Sequence, residues 1–217
     1  MENNLILEAD NVHKDYPLKR KHLFKKPEVV NAVRGISFSL FKEEAFGVVG
    51  ESGCGKSTLS RLLIMLEEPT RGQVLFNGKN MHNTSRKERI QLRKKVQLVL
   101  QDPYLSLPAW MKVGHIVGDP LNIHSKRTFT KKEKRSQINN ILAEVGLDES
   151  AYERYPLTFS AGQRQMINIA RAIILNPELV ILDEAVSALD VSVQANILNL
   201  KYWLVPKHRG LIPLRLK

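Results

Sequence analysis

Along the first third of the chain, apolar positions fall in short runs separated by turn residues: Leu5 to Ala9, Ile36 to Leu40, Ala45 to Val49, and Gly72 to Phe76 closing on Asn77-Gly78. These predict a small antiparallel layer feeding a core strand. From Val49 to Pro69 the pattern passes from an apolar strand through a glycine-rich turn to a helical stretch, Lys56 to Leu66, stopped by Pro69. That order places a ligand at the helix N-terminus. Gln97 to Gln101 reads as another short strand. From about Leu105 to Leu157 the chain is mostly helical and charged, with Ile138, Ile141, Leu142 and Val145 as its clearest apolar face, so it reads as an inserted helical subdomain. A helix over Gln163 to Leu175 follows. Leu179-Val180-Ile181-Leu182 is then an apolar run ending in Asp183 and Glu184, the pattern of a parallel strand buried on both faces with acids at its C-terminal end. There is no internal repeat and no low-complexity segment.

A length of 217 residues with 43% hydrophobic residues suits one mixed core with an inserted subdomain and is too short for two independent domains. The single cysteine, Cys54, excludes an internal disulfide framework and a cysteine-based zinc site, and fits a reducing compartment. No run approaches the roughly 20 apolar residues that cross a bilayer, and the polar start lacks a signal pattern, so a cytoplasmic chain is expected. A net charge of +11 raises the question of nucleic acid. The charge is spread over Lys19 to Lys26, Arg86 to Lys95, Lys126 to Arg135 and the tail, without an aromatic-studded RNA motif or a helix-turn-helix. A solvated or membrane-facing basic surface is expected instead, with no nucleic-acid partner.

The chemistry begins at Gly50-Glu51-Ser52-Gly53-Cys54-Gly55-Lys56-Ser57, which satisfies the phosphate-loop pattern, with Thr58 following. The glycines let the backbone curl so that successive N–H groups point at phosphate oxygens, and the helix dipole adds positive potential. In this reading Lys56 reaches the β- and γ-phosphates and Ser57 supplies a hydroxyl ligand to Mg²⁺. Cys54 reads as a small filler. Asp183, at a strand end, is placed to hold the Mg²⁺ hydration shell opposite Ser57, and Glu184 to polarise an attacking water. Gln101 can reach metal or water with its amide and pass movement to the helical segment after it. Ser160-Ala161-Gly162-Gln163 opens a helix, so its hydroxyl and N–H groups form a second anion site. Two phosphate-binding helix ends, far apart in sequence, must meet either within the fold or across a second subunit.

This ordered set resembles the ABC transporter ATPase family: phosphate loop at Gly50, Gln101 between subdomains, Phe159-Ser160-Ala161-Gly162-Gln163 as signature, Leu179 to Glu184 as the second Walker motif, and Ser187-Ala188-Leu189-Asp190 as D-loop. The resemblance covers approximately residues 5 to 200. It implies an α/β fold with a P-loop NTPase core of mostly parallel sheet, a small antiparallel β layer and a helical subdomain at about 105–162. Gln101-Asp102-Pro103-Tyr104 and Asp190-Val191-Ser192-Val193-Gln194 are similar to the oligopeptide, dipeptide and nickel importer group, and Ala185, where many members carry proline, is similar to nickel-type subunits. Substrate choice resides in other subunits, so peptide and nickel both stay open.

The resemblance further implies ATP and Mg²⁺ as ligands, sandwiched in a head-to-tail dimer between the phosphate loop of one subunit and the signature helix of the other. The second ATPase is expected to be a related but different chain. The other implied partners are integral membrane permease subunits and, indirectly, an extracytoplasmic substrate-binding protein, which puts the chain at the cytoplasmic face of the cell membrane as a peripheral subunit. Tyr16 lies where family members place an aromatic to stack on adenine. The segment Tyr104 to Val117, with Pro108, Trp110 and Met111, resembles the docking surface for the permease's coupling helix.

Two departures bear on activity. Ala161 stands where the usual signature has glycine, adding a methyl group near the partner's γ-phosphate. After the D-loop the family continues with a helix, a core strand and a histidine that contacts the γ-phosphate. Here the helix Gln194 to Leu200 runs into Lys201 to Arg209, and Pro206 lies just before His208. No switch role is carried to His208, residues 201–217 read as an atypical basic tail from truncation or frameshift, and core strands there are expected to be missing, exposing a sheet edge. The competing readings are a hydrolytically impaired nucleotide-binding remnant and a soluble, non-transport ABC ATPase.

Overall fold

The computed structural model describes residues 4–18, 28–100, 102–124, 129–183 and the backbone of 210–215. In chain order the strands are β1 (Leu5–Pro17), β2 (Val29–Phe41), β3 (Glu44–Ala45), β4 (Val48–Val49), β5 (Arg71–Phe76), β6 (Lys79–Asn80), β7 (Val96–Val99), β8 (Leu179–Asp183) and β9 (Gly210–Arg215). The α-helices are α1 (Lys56–Leu63), α2 (Arg86–Lys95), α3 (Pro103–Ser106), α4 (Val113–His124), α5 (Lys131–Glu144) and α6 (Ala161–Ile173), with 3-10 turns at Glu149–Glu153 and Pro156–Thr158.

The antiparallel layer has the order β2-β1-β5-β6. Asn77 and Gly78 both adopt positive φ, 48° and 75°, so the tight β5–β6 turn forms where its dipeptide predicts. β1 and β2 are longer than their apolar runs suggest, and repeated register shifts along β1 explain how consecutive Ile6 and Leu7 are both buried. Each bulge adds bend and twist, which curls the far end of β1, with Tyr16, toward the start of α1.

The second sheet is parallel, ordered β3-β9-β8-β7, with β4 also on β9. All five residues of β8 are buried. Leu179 and Ile181 join Leu59, Leu62 and Leu63 of α1 and the antiparallel layer in one core, while Val180 and Leu182 join the helical subdomain and α6 in the other. The apolar run thus folds as the doubly buried strand its composition predicts. The stretch Ala45 to Val49, expected to be one core strand, is instead two short pieces, and Val49 is 54% exposed. With β9 its only strand partner among the described residues, this piece lies at the edge of the described sheet.

The tail departs furthest from expectation. Gly210–Arg215 runs parallel beside β8, from Leu179 opposite Gly210 to Asp183 opposite Leu214, and pairs with β3 and β4 on its other side. The sheet position expected to be vacant is therefore filled. Pro213, opposite Leu182, has no N–H to donate, and a proline inside an apolar run argues against a central strand on sequence grounds. The helix Gln194 to Leu200 and His208 lie outside the described residues.

The inserted region is helical as predicted, from α3 to the turn at Pro156–Thr158, but α2 escapes the apolar pattern. It carries no buried residue, so there is no periodicity to detect. Its visible signal is Ser85-Arg86-Lys87-Glu88, a reciprocal capping box in which Ser85 accepts from the Glu88 N–H and Glu88 from the Ser85 N–H. Substituting Leu142→Ala, fully buried between α4, α5 and α6, is expected to destabilise the chain by about 2–5 kcal/mol, read as a lower urea midpoint at unchanged slope.

Candidate functional site

The loop between β4 and α1 is built by glycines that no other residue could replace without strain. Gly55, immediately before α1, has φ 99°, and a Cβ there would lie 2.1 Å from the Ala32 carbonyl oxygen of β2. The loop is therefore wedged against the antiparallel layer. At its start, a Cβ on Gly50 would meet Cys54 Sγ at 2.6 Å, so Cys54 fills the space the missing side chain leaves. The buried Lys56 folds back over the loop and donates to the carbonyls of Gly50 at 2.7 Å and Glu51 at 2.8 Å, with Cys54 Sγ at 3.7 Å. Glu51, Ser52, Gly53 and Ser57 are exposed.

α2, α5 and α6 each close their N-termini with a side-chain capping box, whereas among the described residues no side chain caps α1, and its first turn has no acid. A helix start without a side-chain cap or a first-turn acid is the arrangement that favours an external anion.

Asp183 ends β8 beside this turn. It is 7% exposed, its carboxyl lies near the Ser57 hydroxyl, and Oδ1 has no partner among the described residues. Burial pushes the carboxyl above the usual carboxylate range, against the opposing pull of Ser57, Arg61 and Lys56. An orphaned buried carboxylate oxygen next to a hydroxyl is an incomplete set of hard oxygen donors. No cluster of three or more acidic, histidine or cysteine side chains exists among the described residues. The pair therefore suits a cation that keeps waters and shares ligand phosphates, as Mg²⁺ does, rather than one needing an all-protein cage.

Tyr16, half-buried at the far end of β1, lies near Thr58 and donates its hydroxyl to the Glu67 carboxylate, while Lys14 Nζ stands 5.3 Å from its ring centroid. The structure thus brings Tyr16, Lys56, Ser57, Thr58 and Asp183 around the first turn of α1. Sequence reasoning had no view of Glu67, because nothing in its neighbourhood marks it and its partner is 51 residues away.

Ser160 and Gln163 open α6 as expected, but they bond to each other: Ser160 Oγ accepts the Gln163 N–H at 3.3 Å, and Gln163 Oε1 accepts the Ser160 N–H at 3.1 Å. The hydroxyl proton of Ser160, not its lone pairs, is what the cap leaves for an anion. Ser160, Ala161 and Gln163 are exposed and Gly162 is buried. α6 packs on the opposite face of β8 from α1, so the two helix ends do not converge within one chain. Gln101, Glu184 and the D-loop residues Ser187 to Asp190 lie outside the described residues.

A glycine-wedged phosphate loop at the end of a parallel strand, a buried acid across from its serine, and a helical insertion carrying a second helix start define a nucleotide-binding cassette. The ABC transporter family model matches residues 33–187, and the chain belongs to that family. It is 48% identical over 92% of its length to the dipeptide transport ATP-binding protein DppF of Haemophilus influenzae, covering 60% of that protein. It is also 48% identical over 90% of its length to the oligopeptide transport ATP-binding protein AppF of Bacillus subtilis, covering 59%. The chain thus spans about three-fifths of the length of these relatives. Among solved structures, a dimeric ATP-binding cassette in a post-hydrolysis state bound to ADP and Pi superposes with a TM-score of 0.85 at 24% identity, over 96% of this chain and 87% of that one. That likeness establishes the fold.

Two outcomes are expected. Gly55→Ala forces a strained φ and a collision with Ala32, destabilising the chain by roughly 1–3 kcal/mol and lowering its melting temperature. Because burial raises the Asp183 pKa, its ionised form is disfavoured in the fold, so its contribution is most favourable at low pH and is lost as pH rises through the unfolded value toward the folded one. Asp183→Asn should then stabilise the ligand-free chain at neutral pH and flatten this part of its pH–stability profile in chemical denaturation.

Proposed function

We propose that this chain is the ATP-binding and hydrolysing subunit of a membrane importer that takes up peptides. The observation that carries the reading is the meeting of Ser57 with the buried, half-satisfied Asp183 at the uncapped start of α1. Residues Gly50 to Thr58 cradle the phosphates with backbone N–H groups, and Lys56 exchanges its loop carbonyls for β- and γ-phosphate oxygens. Ser57, Asp183 and Gln101 hold Mg²⁺, which when bound neutralises charge on the transferred phosphoryl group. Glu184 orients and polarises the attacking water, and Tyr16 stacks on adenine.

The opposite placement of α1 and α6 supports a head-to-tail dimer, in which Ser160, Gly162 and Gln163 of a second ATPase subunit close over the γ-phosphate. In the importer group the second subunit is a different chain. Peptide as cargo is supported by the names of the relatives, which carry dipeptide and oligopeptide transport, and nickel has no such support. Attachment to permease subunits at the cytoplasmic face fits a chain in which, among the described residues, no helix is long and apolar enough to cross a membrane.

The reading includes a route for coupling. Trp110 is 80% and Tyr104 59% exposed in the segment after Gln101, available to a permease helix. The same segment is fastened to α6: Arg164 stacks 3.9 Å over the Tyr104 ring and donates to the Phe159 carbonyl, and Arg171 donates to the Ser106 carbonyl at 2.7 Å. Displacement of the docking segment is thereby handed to the signature helix.

The test is Mg-ATP binding and phosphate release by the purified chain. Lys56→Ala is expected to weaken binding at least about tenfold, roughly 1.4 kcal/mol. Glu184→Gln should retain binding and lose release. Binding without release by the unaltered chain would favour the impaired nucleotide-binding reading, and no binding by a folded chain would overturn the proposal.

A further inference from the structure

The aromatic ring beside the phosphate loop is not held by the loop. Its hydroxyl is anchored by Glu67, in the turn that leaves α1, and that turn is sewn along the end of β1. Leu66 and Glu67 N–H groups both donate to the Arg61 carbonyl, Lys14 Nζ donates to the Glu68 carbonyl at 2.7 Å, Thr70 N–H to the His13 carbonyl, and Asp15 N–H to Thr70 Oγ1. The carboxylate is itself pinned between two cations, Lys14 Nζ at 3.5 Å and Arg61 Nη1 at 3.6 Å. Lys14 therefore serves twice, pairing with Glu67 and standing over one face of Tyr16.

We propose that Glu67 is a positioning residue for the nucleotide base: by accepting the Tyr16 hydroxyl it fixes the ring in the attitude needed to stack on adenine before the nucleotide arrives. This rests on the nucleotide-site reading above and adds a residue to it. A tyrosine at a strand end turns about two side-chain torsions, and a ligand that must freeze them loses affinity by that amount. A hydroxyl bond to an immobilised carboxylate removes the freedom in advance. With Lys14 on one face, the base has the opposite face to stack on. The proton assignment is stable across neutral pH: burial first and then Glu67 raise the phenol, while the bond from Tyr16, more than the opposing burial, lowers the Glu67 carboxyl, so Tyr16 remains donor and Glu67 acceptor.

The experiment compares binding of Mg-ATP with that of magnesium tripolyphosphate, which has the phosphates and no base, by calorimetry on the purified chain. Glu67→Ala and Tyr16→Phe are each expected to weaken Mg-ATP by up to about tenfold, because the base must then freeze the ring's torsions itself, while leaving tripolyphosphate unchanged. The double variant should be no weaker than either single one, because both remove the same bond. Glu67→Gln, whose amide oxygen still accepts the phenol, should restore Mg-ATP affinity. Equal losses for both ligands would mean that Glu67 merely supports the loop, and unchanged Mg-ATP binding by Glu67→Ala would mean that it holds nothing the base needs. Either overturns the inference while leaving the nucleotide site standing. A folded, unaltered chain that binds neither ligand overturns the nucleotide-site reading and this inference with it.

Discussion

A single strand, β8, carries the architecture because its side chains are buried on both faces. Leu179 and Ile181 belong to the core shared with α1 and the antiparallel layer, and Val180 and Leu182 to the core shared with α6 and the helical subdomain. Two layers that contribute different parts of the site are thus referred to one rigid element. The same strand ends in Asp183, so the acid that faces Ser57 inherits its position from the best-packed part of the molecule. Burial that fixes the carboxyl also disfavours its charge, and the local cations and hydroxyl only partly offset this. Its Oδ1 is left without a partner among the described residues.

The consequence for function is a division of labour across β8. One face holds the phosphate loop and the aromatic ring, the other the signature helix, and they turn away from each other within a chain. A single copy therefore presents the phosphate loop and the start of α6 as two separate half-sites. The segment carrying Tyr104 and Trp110, clamped to α6 by Arg164 and Arg171, stands at the junction between an exposed apolar surface and the second half-site.

The capping pattern shows the same economy. α2, α5 and α6 satisfy their own first turns, and α1 does not, because Gly55 has no side chain to offer. The glycine that allows the loop to press against Ala32 also leaves the helix donors to an anion. One residue choice therefore serves backbone geometry and ligand chemistry together.

By itself the sequence determined what depends on local pattern: the apolar run of β8, the glycine spacing of the loop, the Asn77-Gly78 turn, and the helical character of the insertion are all written in neighbouring residues. Lys56, Ser57 and Asp183 stand out as candidates for the same reason, because each sits within a local motif. Only the tertiary structure decided which of them meet, and it placed three features that lack a local signal. α2 has no buried face and so no periodicity, Glu67 acquires its meaning from Tyr16 across 51 residues, and Gly210–Arg215 is a strand because β8 and β4 offer it unpaired backbone on both sides. Pro213 argues against that strand locally, yet one missing donor is a small local loss beside the ladder bonds gained along two neighbours. Hydrogen bonding between distant segments is a property of the fold, and no window of sequence contains it.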